Sequence, residues 1–246
     1  MPVDRRLQRH PRRRRGGVGR SAVGVSDVSR TPTPGSAPAS RRSGWQTGAL
    51  LVLGFVAVLY AVELADELSG HRFDDHGIRP LRADGLWGVL FAPLLHANWA
   101  HLLANTGPLV VLGLLLALNG VGRLIAATAI VWLVGGLGTW LIGDLGACRL
   151  PSDHIGASTI IFGWLTFLIV FGFLARRGWQ IAVGVLTLIG YGGTLWGAVP
   201  VLDRCDGVSW QGHLCGALAG VLAAYLLSRP ERRARRHGPV TSGAPR

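Results

Sequence analysis

The chain has 246 residues, a formal charge of +12 and a hydrophobic share of 49%, with a mean hydropathy of +0.37. That balance excludes an ordinary soluble domain and points to a protein that crosses a bilayer several times. All the basic residues are arginine, concentrated before Trp45 and after Leu227 without interleaved aromatics, which argues against nucleic acid as a partner and for two ends held beside anionic lipid.

Residues 1–44 mix Arg, Gly, Ser, Pro and Thr with few large apolar side chains, a composition that predicts a disordered tail. The early arginines are not followed closely by an apolar core, so no signal peptide is expected. A first span is predicted over 45–64. A long polar segment follows, marked by Asp66, Glu67, Asp74 and Asp75. Within it, residues 86–90 are apolar but too short to cross, and are expected at the interface with Trp87 at headgroup depth. Further spans are predicted over 99–118, 123–142, 156–175, 179–199 and 210–227, with polar loops over 143–155 and 200–209.

Six spans put both tails on one side. The excess of arginine makes that side the cytoplasm, and Arg123, Arg176 and Arg177 fall there too. The acidic loops then face outside. The expectation is an all-α membrane protein: one six-helix domain over 45–228, between a basic tail over 1–44 and another over 229–246.

Four polar residues then fall at similar depth near the outer face, on three spans: His101 and Asn105 on the second, Ser158 on the fourth and His213 on the sixth. Polar and ionisable side chains are costly in a bilayer. Each has a structural reading, as a hydrogen bond between helices or, for Ser158, a bond to its own backbone. Each also has a chemical reading: a serine becomes a nucleophile when a base is within hydrogen-bond reach. His213, Gly216 and Gly220 follow one stripe of the sixth span, and small residues let helices approach closely. Gly156 and Gly163 are expected to do the same on the fourth span, bringing Ser158 towards His213.

The set His96-x4-His101-x3-Asn105, Gly156-x-Ser158 and Gly212-His213-x2-Gly216-x3-Gly220 resembles the rhomboid intramembrane serine proteases over residues 45–228. The resemblance implies a six-helix rhomboid-like bundle in a bacterial plasma membrane, with its site facing outside. It implies Ser158 as nucleophile, His213 as general base and later acid, and His101 and Asn105 as stabilisers of the oxyanion. His96, at the mouth, would be structural, and Phe162 would pack against the histidine base. Substrates would be transmembrane proteins. The chain departs from the family in carrying Thr159 where Gly commonly follows the nucleophile, and Trp87-Gly88 where Trp-Arg is frequent.

Two other readings share these residues. A catalytically silent relative would bind transmembrane helices as chaperone or adaptor without needing Ser158. A metal protein or transporter would use His96, His101, His154 and His213, but no carboxylate or Cys completes a ligand set at fitting spacing, so no metal or cofactor is expected. Cys148 and Cys205, both in outer loops, are either bridged across the rim of the site or two free thiols. Oligomeric state is not legible.

Overall fold

A computed structural model describes residues 44–147, 150, 152–201 and 207–236. Cys148, Cys205 and nearly all of the expected N-terminal tail lie outside the described residues. Among the described residues, six helices are long and apolar enough to cross a membrane. They are α1 (Gly44–Ser69), α2 (Trp99–Ala117), α3 (Val121–Ile142), α4 (Ser158–Ala175), α5 (Gly178–Tyr191, continued as a tighter 3-10 stretch over Gly192–Ala198) and α6 (Trp210–Leu227).

The ends follow local chemistry. Asn98 caps α2, its side chain accepting the His101 N–H at 2.9 Å, and Ser209 caps α6 by accepting the Gly212 N–H at 3.0 Å. Gly120, at φ +103°, turns the chain between α2 and α3, and Arg176 ends α4 in the left-handed region at φ +51°. The basic stretch after α6 starts as a helix, Arg229–Arg236, and Glu231 there pairs with Arg123, so order extends past residue 228.

α4 is the axis of the bundle: 67% of its apolar window is buried, against 17% for α5. Its Ile160, Leu165, Phe167 and Phe171 meet Leu102, Leu109, Leu112 and Leu116 of α2 in one continuous core. α6 packs on the other side through glycines. A Cβ on Gly220 would stand 2.1 Å from the Gly163 carbonyl oxygen, and one on Gly216 would stand 2.2 Å from that of Thr159. Only bare backbone permits that approach.

Of the two glycines expected to help from α4, Gly163 does so through its carbonyl beside Gly220, and it also gives room on the α3 side. A Cβ on Gly163 would strike Val131 of α3, at 2.3 Å from its Cγ1. Gly156 precedes α4, which starts at Ser158 rather than at residue 156, and it faces α2.

The segment between α1 and α2 is a built platform. Short helical turns over Asp84–Leu86, Gly88–Phe91 and Ala92–Leu94 lie against α3, where the Trp132 indole donates to the Val89 carbonyl at 3.0 Å and Trp140 donates to that of Arg82 at 2.9 Å. Ile78 pairs antiparallel with His154 of the loop before α4. Gly88 is required here, because a Cβ would meet the Gly77 carbonyl oxygen at 2.0 Å. Trp87 is exposed, at 67%.

Candidate active site

The N-terminal ends of α2, α4 and α6 meet beside this platform. Ser158 is the first residue of α4 and His213 lies in the first turn of α6. The glycine contacts at Gly216 and Gly220 draw the two helices together, and Ser158 Oγ stands 3.0 Å from His213 Nε2. The other ring nitrogen, Nδ1, is 3.0 Å from the carbonyl oxygen of Gly197, at the end of the stretch that follows α5. A carbonyl can only accept, so Nδ1 carries the proton of the neutral ring and Nε2 offers its lone pair to the Ser158 hydroxyl.

The imidazole is held flat against Phe162, one turn into α4, with ring centroids 4.1 Å apart and planes 9° from parallel. Phe162 is 3% exposed, so the stack is shielded from water on that side. The ring therefore has one face packed and one nitrogen tied, which leaves it little rotational freedom.

On the opposite side of Ser158, Gly156 adopts φ +117° and lies against His101: a Cβ there would stand 2.7 Å from His101 Cε1. Both the backbone angle and the contact call for glycine. Asn105 is buried one turn along α2, and its amide donates to the His101 carbonyl at 3.1 Å. His96 is not at the mouth, as the resemblance implies. It is 2% exposed, and its Nε2 accepts the Ala157 N–H at 3.4 Å, holding the residue before Ser158. Burial, with His101 beside it, pushes the His96 imidazole down to about 4, so it is neutral at pH 7.

Thr159 is seated between neighbouring helices. Its side chain lies between two glycines, Gly135 of α3 and Gly212 of α6, where Cβ atoms would stand 2.9 Å from Thr159 Cγ2 and 3.2 Å from Thr159 Oγ1. Gly135 closes a π-helical turn over Val131–Gly135, a local widening of the kind frequent at functional sites. Ser158 and Thr159 both line a small cleft with Ala92, Pro93, Gly156 and Ser209.

A polar chain missed by the sequence reading runs along the rim. Ser152 Oγ is 2.6 Å from Asp144 Oδ1 and 2.9 Å from His154 Nε2, while His154 Nδ1 is 2.7 Å from Ser209 Oγ. The direction of each bond follows from the ends. Asp144 only accepts, so the Ser152 hydroxyl donates to it and accepts the His154 Nε2–H. Nδ1 of the neutral ring then accepts from the Ser209 hydroxyl, whose oxygen also accepts the Gly212 N–H. Burial lowers the affinity of His154 for a second proton, with Asp144 opposing in part. The chain joins the loop before Ser158 to the cap of the helix that carries His213. Ser209, just before an apolar run, is a helix-start signal that the sequence does carry; the Gly197 carbonyl has no sequence signature.

Among the described residues, no three of His96, His101, His154 and His213 bring ring nitrogens within 4.8 Å of one another. A six-helix membrane bundle with a serine and a histidine paired between two helices is the class that this fold and site define. The chain belongs to the rhomboid family: the Rhomboid domain profile matches residues 83–230. An uncharacterized protein of Mycobacterium tuberculosis is 57% identical over 96% of this chain and 97% of its own length. Another, of Mycobacterium leprae, is 57% identical over 84% of this chain and 82% of its own. A Bacillus subtilis protein that carries the provisional name of rhomboid protease is 30% identical, covering 61% of this chain and 73% of that protein. The chain is thus an integral membrane protein with bacterial relatives.

Proposed function

We propose that this protein is an intramembrane serine endopeptidase that hydrolyses peptide bonds in or near the transmembrane segments of other membrane proteins. The observation that carries the reading is the 3.0 Å contact between Ser158 Oγ and His213 Nε2, with Nδ1 tied to Gly197. His213 takes the Ser158 proton as Oγ bonds to the substrate carbonyl carbon. It then gives that proton to the departing amine as the C–N bond breaks, leaving an acyl-enzyme. Water, deprotonated by the same nitrogen, releases the acyl group.

The Gly197 carbonyl and the Phe162 face hold the His213 ring. The oxyanion would meet the N-terminus of α4, whose first amide N–H groups and dipole favour negative charge. His101, seated on Gly156, is the side-chain donor beside it. Asn105 supports His101 from one turn away, and His96 fixes Ala157. Loss of one oxyanion donor costs about 3 kcal/mol in the barrier.

The arginine distribution supports a topology with both termini in the cytoplasm and the site facing outside. The division into a protease domain over 45–228 and two basic tails belongs to the same reading.

The test is cleavage of a single-span reporter in proteoliposomes, comparing wild type with Ser158→Ala and His213→Ala. Turnover by wild type that is lost in both variants is expected. A folded wild type that cleaves no reporter would favour the silent alternative, a rhomboid-like protein that binds transmembrane helices.

A further inference from the structure

The outer end of α1 carries a second cluster of polar groups, which the proposed reaction does not use. Glu63, Asp66 and Glu67 lie within about one turn of each other on α1. The chain then reverses through Gly70 and His71, both at positive φ, and returns Asp74 to the same place. Ligand atoms of Asp66, His71 and Asp74 all lie within 4.8 Å of one another. His71 Nδ1 is 3.5 Å from Asp66 Oδ2 and 4.0 Å from Asp74 Oδ2, and Nε2 is 3.8 Å from Glu67 Oε2. The Phe73 N–H donates to Asp66 Oδ1 at 2.7 Å, which leaves Oδ2 on the His71 side.

A second observation is independent of those distances. Glu63, one turn before Asp66, is 2% exposed, and neither of its carboxylate oxygens has a hydrogen-bond partner among the described residues. The charges that act on it are those of the cluster, Asp66, Asp74, His71 and Glu67. Asp74 Oδ1 is likewise buried without a partner. A buried carboxylate without a partner is strongly disfavoured. One histidine facing four carboxylates leaves an excess of negative charge even when protonated. A cation resolves both problems.

We propose that Asp66, His71 and Asp74, backed by Glu63, form a binding site for a divalent transition-metal ion of the Zn²⁺ class. Imidazole nitrogen with carboxylate oxygens suits such an ion, whereas Ca²⁺ takes oxygen ligands alone. Ligands about 2.1 Å from a tetrahedral ion stand about 3.4 Å apart, close to the His71–Asp66 separation. The site uses none of the four histidines weighed from the sequence. It would tie the end of α1 to the loop that leads to Ile78, and Ile78 pairs with His154 at the rim of the Ser158 cleft.

The test needs no assay of proteolysis. Full-length protein without a histidine tag, in detergent micelles and stripped with chelator, is titrated with ZnCl₂ by calorimetry, and its thermal unfolding is followed with and without the ion. The expected result is one saturable site per chain and a Tm raised by Zn²⁺. Asp66→Asn and Asp74→Asn should each weaken binding by about tenfold or more, and Glu63→Gln should weaken it too. Because His71 is exposed, His71→Gln serves where a buried variant fails to fold. No saturable binding up to about 100 μM, equal affinity in wild type and His71→Gln, or tighter binding of Ca²⁺ than of Zn²⁺ would each overturn the proposal.

Discussion

Gly216 lies so close to Thr159 that a Cβ on it would stand 2.2 Å from the Thr159 carbonyl oxygen. The atom in the way is backbone, so the helices themselves must separate to make room. Gly216→Ala should therefore destabilise the protein by about 1–3 kcal/mol, and it should lengthen the Ser158–His213 contact. Tm and reporter cleavage, measured on the same preparation, should fall together. Gly54→Ala, where a Cβ would meet nothing within 4 Å, should leave both unchanged.

Phe162 holds the His213 ring by a stack with centroids 4.1 Å apart. Aromatic pairs of this kind contribute about 0.5–1.5 kcal/mol beyond burial. Phe162→Leu should keep the fold and lower kcat several-fold, because the ring then samples orientations that break its bond to Ser158 or to Gly197. Phe162→Tyr should retain most activity. Equal losses in both variants would mean that volume, rather than stacking, matters.

Ser209 serves two ends at once, capping α6 through Gly212 and donating to His154. Ser209→Ala removes both and should lower stability by about 1–2 kcal/mol. Ser209→Thr keeps the hydroxyl and should recover most of it. Thermal unfolding of the two variants against wild type decides the point.

His96 makes folding dependent on pH. Its folded-state value is about 4 against an ordinary value near 6.5, so the unfolded chain binds the proton more tightly. The stabilisation is complete above about pH 6.5 and is lost as the pH falls towards 4, where the loss amounts to about 3 kcal/mol. The Tm of wild type should drop over that window more than the Tm of His96→Asn, whose side chain does not titrate. Parallel curves for the two proteins would contradict the assignment.

Much of this architecture is written in the order of residues. Apolar runs bounded by Gly120, Arg176 and Arg177 mark the helices to within a few positions, because a span must be long and uninterrupted to cross a bilayer. Polar residues inside those runs single out Ser158, His213, His101 and Asn105, because few side chains of that kind are tolerated there. What pairs with them is harder to read. The Gly197 carbonyl that orients His213 is backbone, and any residue would supply it. Gly156 reads as one more small packing residue, yet its φ of +117° and its contact with His101 give it a different role. The pairing of Ile78 with His154 joins two irregular loops that lack periodicity, so nothing in their sequence announces it.

Covalent labelling separates a Ser158 nucleophile activated by His213 from an inert hydroxyl. Wild type, Ser158→Ala and His213→Ala are incubated in detergent with a fluorophosphonate, and the adduct is mapped by peptide mass spectrometry. One adduct on Ser158 is expected in wild type, none in Ser158→Ala, and labelling slowed by at least about a hundredfold in His213→Ala. A folded wild type that takes up no probe at Ser158, or equal labelling rates with and without His213, would contradict that activation.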